Sequence, residues 1–468
     1  MSIVVSSGFA GFSDTFAQWA CQPNLDLDDK DGTEARLACL DTVACMVIGA
    51  SEHQSIAAMS AMERGEALGK VKPVGGGVGL SLFAASFVNG VRAHAIDYDD
   101  FEFSGSTHPS AALFGTLCSL AQLKSLTINQ VCDAWIVGYE ALIWLGQALG
   151  YSHYEKGWHS SATLGPIGVA AAVSKALDLT TLQMSYAMSL AASYSAGLKA
   201  QFGTDTKAIH LGNASEAGLR AAFLAMENVT SNREVWEVSK GYFDLFGTTH
   251  SSGFDFITQK VEFGQAVKKF PVARKIWPSC AYTHRAIFGA QNLRSKFSST
   301  DEIVGIRVKL PKPFYDVAHF GVPTTASEAR FSVQYCVAAG LISEKVTCKD
   351  FDDQIIQEEK RQQLTDLVEI EAYDLPAGDS GEFSHNTVEK ITISLRTGHV
   401  HEIEVIDVPG DSNNPMTDSQ IIQKAVECGI CRSTSEAFLA ADGNTSVLQT
   451  GLLDQNNETI LDGVSANE

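Results

Sequence analysis

Residues 95–110, AIDYDDFEFSGSTHPS, bring Asp97, Asp99, Asp100 and Glu102 close to His108. Carboxylates next to a histidine can bind a metal, transfer a proton, or form a solvated acidic loop before a helix. A metal site favours further histidine ligands at fixed spacing, which this stretch lacks, so we expect no metal. Proton transfer and a solvated acidic loop both remain open.

His108 precedes a proline that suits the first turn of a helix, and PSAALFGTLCSLA continues with helical spacing. The positive end of the helix dipole disfavours a protonated imidazole at that position. A neutral histidine there can donate a hydrogen bond or accept a proton near neutral pH. We therefore predict that His108 touches a substrate and that Asp97 faces the same site.

A second histidine precedes an apolar helix in GYSHYEKGWHSSATLGPIG, residues 150–168. Ser160 and Ser161 can cap that helix, which places His159 at another positive helix end, with Tyr154 nearby. A single histidine in such a setting is more often structural than functional. Two histidines at two helix starts put the functional interpretation on a par with the structural one.

Positive charge is concentrated in two further stretches. In GLKAQFGTDTKAIHLGNASEAG, residues 197–218, Lys207 and His210 lie among small residues. Burial lowers the pKa of a lysine and makes it a candidate base, although a lysine that reaches the surface is the alternative. The stretch 268–290 adds a basic patch at a proposed domain junction, where ligand clefts commonly form. Its members are Lys268, Lys269, Arg274, Lys275, His284 and Arg285.

Apolar residues at three- and four-residue spacing predict mostly helices over residues 1–270, and LTINQ, LTTLQ and SNREVWE each carry a helix-start signal. Period-2 patterns then predict strands at 302–310 and 388–405, the latter a hairpin that turns at Thr397-Gly398. We predict a mainly α fold. A large helical domain, 1–276, is rejoined by 410–468, and a smaller α+β lid domain, 277–409, is inserted before the C-terminal helices.

Net charge, the length of apolar runs and the cysteine pattern exclude several classes of protein. The 468 residues carry a net charge of −21, which repels nucleic acid and anionic membranes. No apolar run reaches the roughly 18 residues that a membrane helix needs. The ten cysteines are scattered, and Cys428 and Cys431 form an isolated CxxC that predicts no zinc ribbon. The N-terminus resembles no signal peptide, and we expect a cytoplasmic protein.

Four stretches together resemble the MmgE/PrpD family: NGVRAHAIDYDD with STHPSA, GYE with GWHSSATLGPIGVAAAVSKALDL, TKAIHLGNASEAGLRAAFLA, and KKFP with YTHRA. This family includes 2-methylcitrate dehydratase, cis-aconitate decarboxylase and iminodisuccinate epimerase. The resemblance implies a helical domain with an α+β lid, a homodimer, and no metal or organic cofactor. The family's active-site pattern falls on Asp97, His108, His159, Lys207 and His284.

The family members share chemistry at a carbon next to a carboxylate, so the implied substrate is a small di- or tricarboxylate. An epimerase needs acid and base groups on opposite faces of that carbon, and Tyr154 and Lys207 are a plausible pair. Decarboxylase members carry a threonine where this chain has Phe101, which disfavours decarboxylation. Epimerisation of an iminodisuccinate-like amino acid is therefore predicted first. Dehydration of a 2-methylcitrate-like hydroxy acid, with His108 or His159 as the acid, is second.

The predicted catalytic residues are thus Lys207, Tyr154, His108, His159 and Asp97. The predicted substrate-binding residues are His284, Arg285, Phe101 and His210.

Overall fold

The computed structural model describes residues 11–25, 27–247, 261–375 and 387–455. Its helices of eight or more residues are α1 (Phe12–Ala20), α2 (Asp29–Gly49), α3 (His53–Arg64), α4 (Leu82–His94), α5 (Pro109–Lys124), α6 (Ile128–Leu149), α7 (Ser160–Ala176), α8 (Thr181–Ala191), α9 (Thr206–Met226), α10 (His284–Leu293), α11 (Val333–Ile342), α12 (Glu359–Asp366), α13 (Asp418–Glu427) and α14 (Arg432–Ala440). Shorter α-helical turns are Tyr151–Glu155, Tyr242–Phe246, Ala266–Lys269, Lys312–Tyr315, Ala326–Ala329 and Asp353–Ile356.

Local capping explains where several helices begin. The Thr127 side chain accepts a hydrogen bond from Gln130 N at the start of α6, and Thr180 accepts from Gln183 N at the start of α8. Both caps confirm the helix starts predicted from LTINQ and LTTLQ. The helix predicted from SNREVWE is wrong, because residues 231–237 form turns. A cap residue alone does not determine a helix, and here Trp236 is buried in the helical core from a turn.

Small residues let the helices around the site cross closely. A Cβ atom at Gly90 of α4 would lie 2.7 Å from Leu211 O of α9, and one at Gly115 of α5 would lie 2.9 Å from the Gly90 Cα. Larger side chains would push the three helices apart. The close crossing places the C-terminal end of α4 next to the N-terminal ends of α5 and α9.

The strands are β1 (Leu68–Val71), β2 (Ile303–Pro311), β3 (Val368–Tyr373), β4 (Glu389–Leu395) and β5 (Val400–Val405). The last four form one sheet in the order β3-β2-β4-β5, with β2 and β3 parallel and the other pairs antiparallel. Strands β4 and β5 form a hairpin in which Gly398 N donates to Leu395 O, with Gly398 at φ 86°. The predicted hairpin turn is confirmed.

Apolar side chains form two main cores. One draws on residues between 12 and 272 and again between 421 and 453, and the other on residues between 277 and 408. The predicted fold class, mainly α with a smaller α+β part, is confirmed. The domain boundaries stay a prediction, which the two cores support; residues 1–10 and 456–468 lie outside the described ranges. Within those ranges, no helix combines the length and apolar content that crossing a membrane requires.

Candidate active site

A cavity of about 550 Å³, including its open mouth, lies between the two cores. We call it the front cavity. Its lining includes six of the predicted site residues: Asp97, Phe101, His108, Tyr154, His159 and Lys207. Cys280, Ala281, Tyr282 and Phe331 line it from the α+β side. The structure therefore brings together side chains that lie more than a hundred residues apart in the sequence.

Asp97 lies in a turn just after α4, and its φ of 54° is unusual for a residue other than glycine. Its Oδ1 accepts hydrogen bonds from Lys207 Nζ at 3.1 Å and from Lys275 Nζ at 2.6 Å, and its backbone O also accepts from Lys275. Burial raises the pKa of Asp97, but the positive charges of Lys207 and Lys275 together outweigh burial. The net result is a pKa well below the usual range of an aspartate. Asp97 is therefore a fixed negative charge that holds two buried ammonium groups.

A chain of hydrogen bonds leads from Lys207 away from the front cavity. Lys207 Nζ lies 2.5 Å from His94 Nε2, and His94 Nδ1 lies 2.8 Å from Asp99 Oδ2. Burial lowers the pKa of His94 to about 3, so its imidazole is neutral, accepts from Lys207 and donates to Asp99. Burial also lowers the pKa of Lys207 more than Asp97 raises it. The lowered pKa makes this ammonium group a better proton donor than an exposed lysine.

His108 caps the N-terminus of α5, as the sequence predicted. Its Nδ1 donates to Asp100 O at 2.9 Å, which leaves Nε2, 3.7 Å from Asp97 Oδ1, without a proton in the neutral form. Burial lowers the pKa of His108, although Asp99 opposes the shift. The neutral imidazole predicted from the helix dipole is therefore also favoured by burial.

His159 occupies the N-cap position of α7 without a side-chain capping hydrogen bond, and Ser160 and Ser161 lie inside the helix, so the prediction that these serines cap it is wrong. The Ser161 hydroxyl instead accepts the backbone N–H of His108, at 2.9 Å, and ties the starts of α5 and α7 together. His159 Nδ1 lies 3.0 Å from His210 Nδ1, so one ring donates and the other accepts. His159 Nε2 is buried and has no hydrogen-bond partner among residues the structure describes, which leaves it free for a ligand in the cavity.

Three long helices begin at the front cavity: α5 after His108, α7 after His159, and α9 one residue before Lys207. The partial positive charge at a helix N-terminus favours an anion. Burial and the Lys207 charge also hold the pKa of His159 well below its usual value, so this imidazole stays neutral. Neutral hydrogen-bonding rings, an ammonium group and three helix ends suit a carboxylate substrate.

Aromatic side chains line one part of the front cavity. Tyr154 and Phe202 of the helical part pack with Phe331 and Val317 of the α+β part in one small cluster, against which Tyr282 is also packed. Lys199 Nζ lies 4.0 Å from the centre of the Tyr154 ring. Burial holds the pKa of Tyr154 well above its usual value, so its hydroxyl keeps its proton. The cluster joins the helical and α+β parts of the chain beside the front cavity.

Three predicted substrate-binding residues lie outside the lining of the front cavity. His210 reaches the site through His159, and burial lowers its pKa to about 4. His284 begins α10, where its ring packs edge-on against Trp277 and burial lowers its pKa to about 3. Arg285 Nη1 donates to Thr387 O at 2.8 Å, on the side of the sheet. Direct substrate contact by these three stays a prediction.

The acidic loop is not solvated, so that alternative from the sequence is wrong. Asp99 and Asp100 are fully buried, and Glu102 is 2% exposed. Glu102 accepts hydrogen bonds from Gly105 N and Thr107 Oγ1, and burial raises its pKa. Burial raises the pKa of Asp100 to about 7. These carboxyl groups shape the loop. Asp97 and Glu102 both line the front cavity, and of the four only Asp97 pairs with ammonium groups.

One group of described residues could hold a metal ion: His94, Asp97, Asp99 and His108, whose ligand atoms lie within 4.8 Å of one another. Ammonium groups already contact these atoms, since Lys207 lies 2.5 Å from His94 Nε2 and a second lysine lies 2.6 Å from Asp97 Oδ1. Two positive charges at such distances repel a cation. The donor set therefore fits pairing with lysine better than a metal. Catalysis without a metal or organic cofactor stays a prediction.

Sequence reasoning overlooked His94 and Lys275 as site residues. His94 is the last residue of an apolar helix, and its 14-residue separation from His108 matches no metal-binding motif. Lys275 stood in the basic patch without a partner, because Asp97 is 178 positions away. The prolines on both sides of ARKIW mark a constrained stretch, which was the available signal.

Two family models match the chain. The MmgE/PrpD N-terminal domain matches residues 14–255, and the MmgE/PrpD C-terminal domain matches residues 277–438. The chain belongs to the MmgE/PrpD family. The resemblance inferred from the four sequence stretches is thereby confirmed.

Curated relatives in this MmgE/PrpD family are named for one reaction. The cis-aconitate decarboxylase of Homo sapiens is 30% identical over 301 residues, 61% of this chain and 61% of the human protein. That of Mus musculus is 26% identical over 76% of this chain and 74% of the mouse protein. That of Aspergillus terreus is 25% identical over 90% of this chain and 89% of the fungal protein.

Proposed function

We propose that this protein is a cofactor-independent lyase that removes a carboxyl group from a small unsaturated tricarboxylate of the cis-aconitate type. The observation that carries the proposal is the front cavity itself. Lys207, His108 and His159 face it beneath three helix N-termini. The names of the relatives support decarboxylation, which the sequence ranked behind epimerisation and dehydration. Nothing in those names supports an epimerase.

The chemistry of such a substrate fits this set of groups. One carboxylate of cis-aconitate is on a CH₂ group next to a carbon–carbon double bond. Loss of CO₂ breaks the bond between that CH₂ and the carboxyl carbon, and the electron pair spreads through the double bond onto a remaining carboxylate. A proton then forms a new C–H bond. The enzyme must therefore stabilise a developing negative charge and deliver one proton in each turnover.

The geometry assigns these tasks as follows. Lys207 Nζ is the proton donor, since Asp97 holds it at the cavity wall and its pKa is lowered by burial. His159 Nε2 donates to a substrate carboxylate in the tautomer in which its Nδ1 accepts from His210, whereas the unprotonated His108 Nε2 can accept a proton or a hydrogen bond from the substrate. Lys275 fixes Asp97 from behind through two hydrogen bonds. Tyr154 retains its proton and can donate to a carboxylate in the same cavity.

Phe101 supports a second candidate, dehydration of a hydroxy acid. Its ring lines the front cavity, at the position where the resemblance implies a threonine in decarboxylases. An apolar wall there lacks the hydroxyl of those members. A dehydratase needs a base for the α-proton and an acid for the departing hydroxyl, and Lys207 with either histidine can fill both roles.

Incubation in D₂O separates the reactions. The enzyme is supplied in parallel with cis-aconitate, 2-methylcitrate and an iminodisuccinate-type amino acid, and the products are followed by NMR with CO₂ measurement. We expect CO₂ and one deuterium per unsaturated dicarboxylate from cis-aconitate. An alkene formed from the hydroxy acid without CO₂ would favour the dehydratase. Deuterium at the α-carbon of the amino acid, with no unsaturated product, would favour the epimerase.

The expected homodimer and the cytoplasmic location stay predictions. Sedimentation equilibrium of the purified chain tests the first, and a single monomer mass across the concentration range would contradict it. Fractionation of the source cells tests the second.

A further inference from the structure

Lys207 lies between two cavities. The second, which we call the rear cavity, has about 280 Å³ of empty volume including its mouth, and its lining includes Gln54, His94, Thr204, Lys207, Ser327 and Arg330. Asp97, Lys207 and Phe331 are shared by the front and rear cavities and so form the wall between them. The rear cavity therefore reaches Lys207 from the side away from Tyr154 and His159.

Polar side chains line much of the rear cavity, and one of its lining residues is exposed to solvent. Thr204, on its rim, is exposed, whereas Gln54 and Arg330 are each 4% exposed. Arg330 pairs with Glu52 at 3.3 Å, but its buried Nε has no hydrogen-bond partner within the described part of the chain. A buried donor without a protein partner is usually satisfied by water. Arg330 lines the same cavity as Lys207 and His94, so a water bound to its Nε would lie close to both.

We propose that the rear cavity is the route by which Lys207 takes up a proton from solvent while substrate fills the front cavity. The inference rests on the proposed decarboxylation. Tyr154, Phe202 and Phe331 line the front cavity, so a substrate that fills it excludes water from Lys207 on that side. The rear cavity leaves the same ammonium group in contact with solvent.

The proton stoichiometry of decarboxylation requires a route by which Lys207 regains a proton. The bond to the leaving carboxyl group breaks and CO₂ departs; the electron pair stays on the substrate carbon and takes a proton from Lys207 Nζ. Lys207 is then a neutral amine, and one proton from solvent restores its charge. Epimerisation and dehydration consume no net proton, so decarboxylation is the reaction that needs this uptake in every turnover.

Two substitutions narrow the rear cavity without touching the front one. Ser327 is half-buried on the turn Ala326–Ala329, and Ala208 follows Lys207 on α9; both line the rear cavity, and neither lines the front. We choose Ser327→Leu and Ala208→Val, so that a failure of one variant to fold leaves the other. Ser295→Leu, at an exposed serine of the α+β part that lines neither cavity, is the matched control.

The experiment measures how long Lys207 keeps its own hydrogens. Enzyme equilibrated in D₂O is mixed rapidly with a large excess of H₂O containing saturating cis-aconitate, and the first-turnover product is analysed by mass spectrometry. Wild type and Ser295→Leu exchange through the rear cavity and give mostly protonated product. Both narrowed variants retain deuterium in the product, and their kcat falls about threefold or more with KM unchanged.

Equal deuterium content in all four products, at every substrate concentration, would overturn the proposal. So would a higher KM without deuterium retention, because damage to the substrate site explains that result. Absence of CO₂ from wild-type enzyme and cis-aconitate is a different outcome, since it overturns the proposed function itself.

Discussion

Two buried ion networks hold the acidic loop from opposite sides. On the cavity side, Lys207 and Lys275 both donate to Asp97, and Lys207 also contacts His94. On the other side, Lys424 of α13 pairs with Asp41 of α2 at 2.7 Å and donates to the backbone O of Tyr98 at 2.8 Å. All the charged groups in both networks are almost completely buried.

The difference lies in how the charges match. Lys424 and Asp41 form a one-to-one pair outside the front cavity, and the Lys424 ammonium also lies 3.9 Å from the Tyr98 ring centre. Asp97 instead accepts hydrogen bonds from two ammonium groups, one of which lines the front cavity. The cluster therefore has an excess positive charge that can bind an anionic ligand. A buried pair of one acid and one base fixes the loop. A buried cluster with more positive than negative groups is typical of a functional site. Substitutions on each side test this distinction.

The largest effect is expected from Lys207→Ala. Loss of the proton donor should lower kcat for cis-aconitate by about a thousandfold. The fold should persist, because Asp97 keeps Lys275 as its partner. Steady-state CO₂ release and circular dichroism measure the two properties. Lys275→Met is the matched control, since it removes the other ammonium from the same carboxylate but does not line the front cavity. If both variants lose activity equally, the proposal that Lys207 rather than Lys275 is the proton donor is wrong.

Lys424→Met should affect stability more than chemistry. Removal of one partner leaves Asp41 as an uncompensated buried charge, and we expect the free energy of unfolding to fall by about 3 kcal/mol. Urea denaturation measures it. The double variant Asp41→Asn with Lys424→Met should recover most of the loss, because no unpaired charge remains. A loss that persists undiminished in the double variant would show that packing around Tyr98, not charge, is responsible.

Asp100 differs from Asp97, because no buried ammonium group pairs with its carboxyl among the described ion pairs. Its Oδ1 accepts from Ser110 N, and burial raises its pKa to about 7. The unfolded chain releases this proton near pH 4 while the folded protein keeps it. Wild-type stability should therefore fall as the pH rises from about 4 to about 7.

Asp100→Asn keeps the acceptor for Ser110 and cannot ionise. The difference in free energy of unfolding between Asp100→Asn and wild type should shift by about 2 kcal/mol in favour of the variant between pH 5 and pH 8. Urea unfolding at both pH values measures this difference. Asp97→Asn is the contrast, since the pKa of Asp97 is lowered and its charge stabilises the fold above the unfolded pKa. A wild-type-like pH profile for Asp100→Asn would mean that Asp100 is ionised in the folded protein.

Spacing along the chain was enough to predict the long helices, since apolar periodicity and Thr127 and Thr180 caps are local signals. It also placed His108 and His159 at helix starts. The sequence could not reveal that Lys275 reaches Asp97, because no local pattern encodes contacts across 178 positions. The same holds for the aromatic cluster, whose members come from both parts of the chain. Burial of Asp99 and Asp100 was missed because acidic residues in a loop are usually solvated.

The resemblance implies a threonine in decarboxylases at the position of Phe101. Phe101→Thr tests whether that difference affects decarboxylation, and it has the smallest expected effect of these substitutions. The backbone of Phe101 is held by two hydrogen bonds with Ala273, so the loop should keep its path after the substitution. A threonine hydroxyl in place of the ring adds a hydrogen-bonding group to the front cavity. We expect kcat/KM for cis-aconitate to rise about tenfold.

Phe103→Thr is the control, because Phe103 stacks edge-on against Phe101 at 4.8 Å between ring centres and lines the same cavity. An equal gain in both variants would mean that added space, not the hydroxyl at position 101, raises the rate. A loss of CO₂ release in Phe101→Thr, together with wild-type turnover of a hydroxy acid, would favour dehydration. In that case the aromatic wall at Phe101 belongs to a site adapted to a different substrate, and the charge pattern around Asp97 is what the two reactions share.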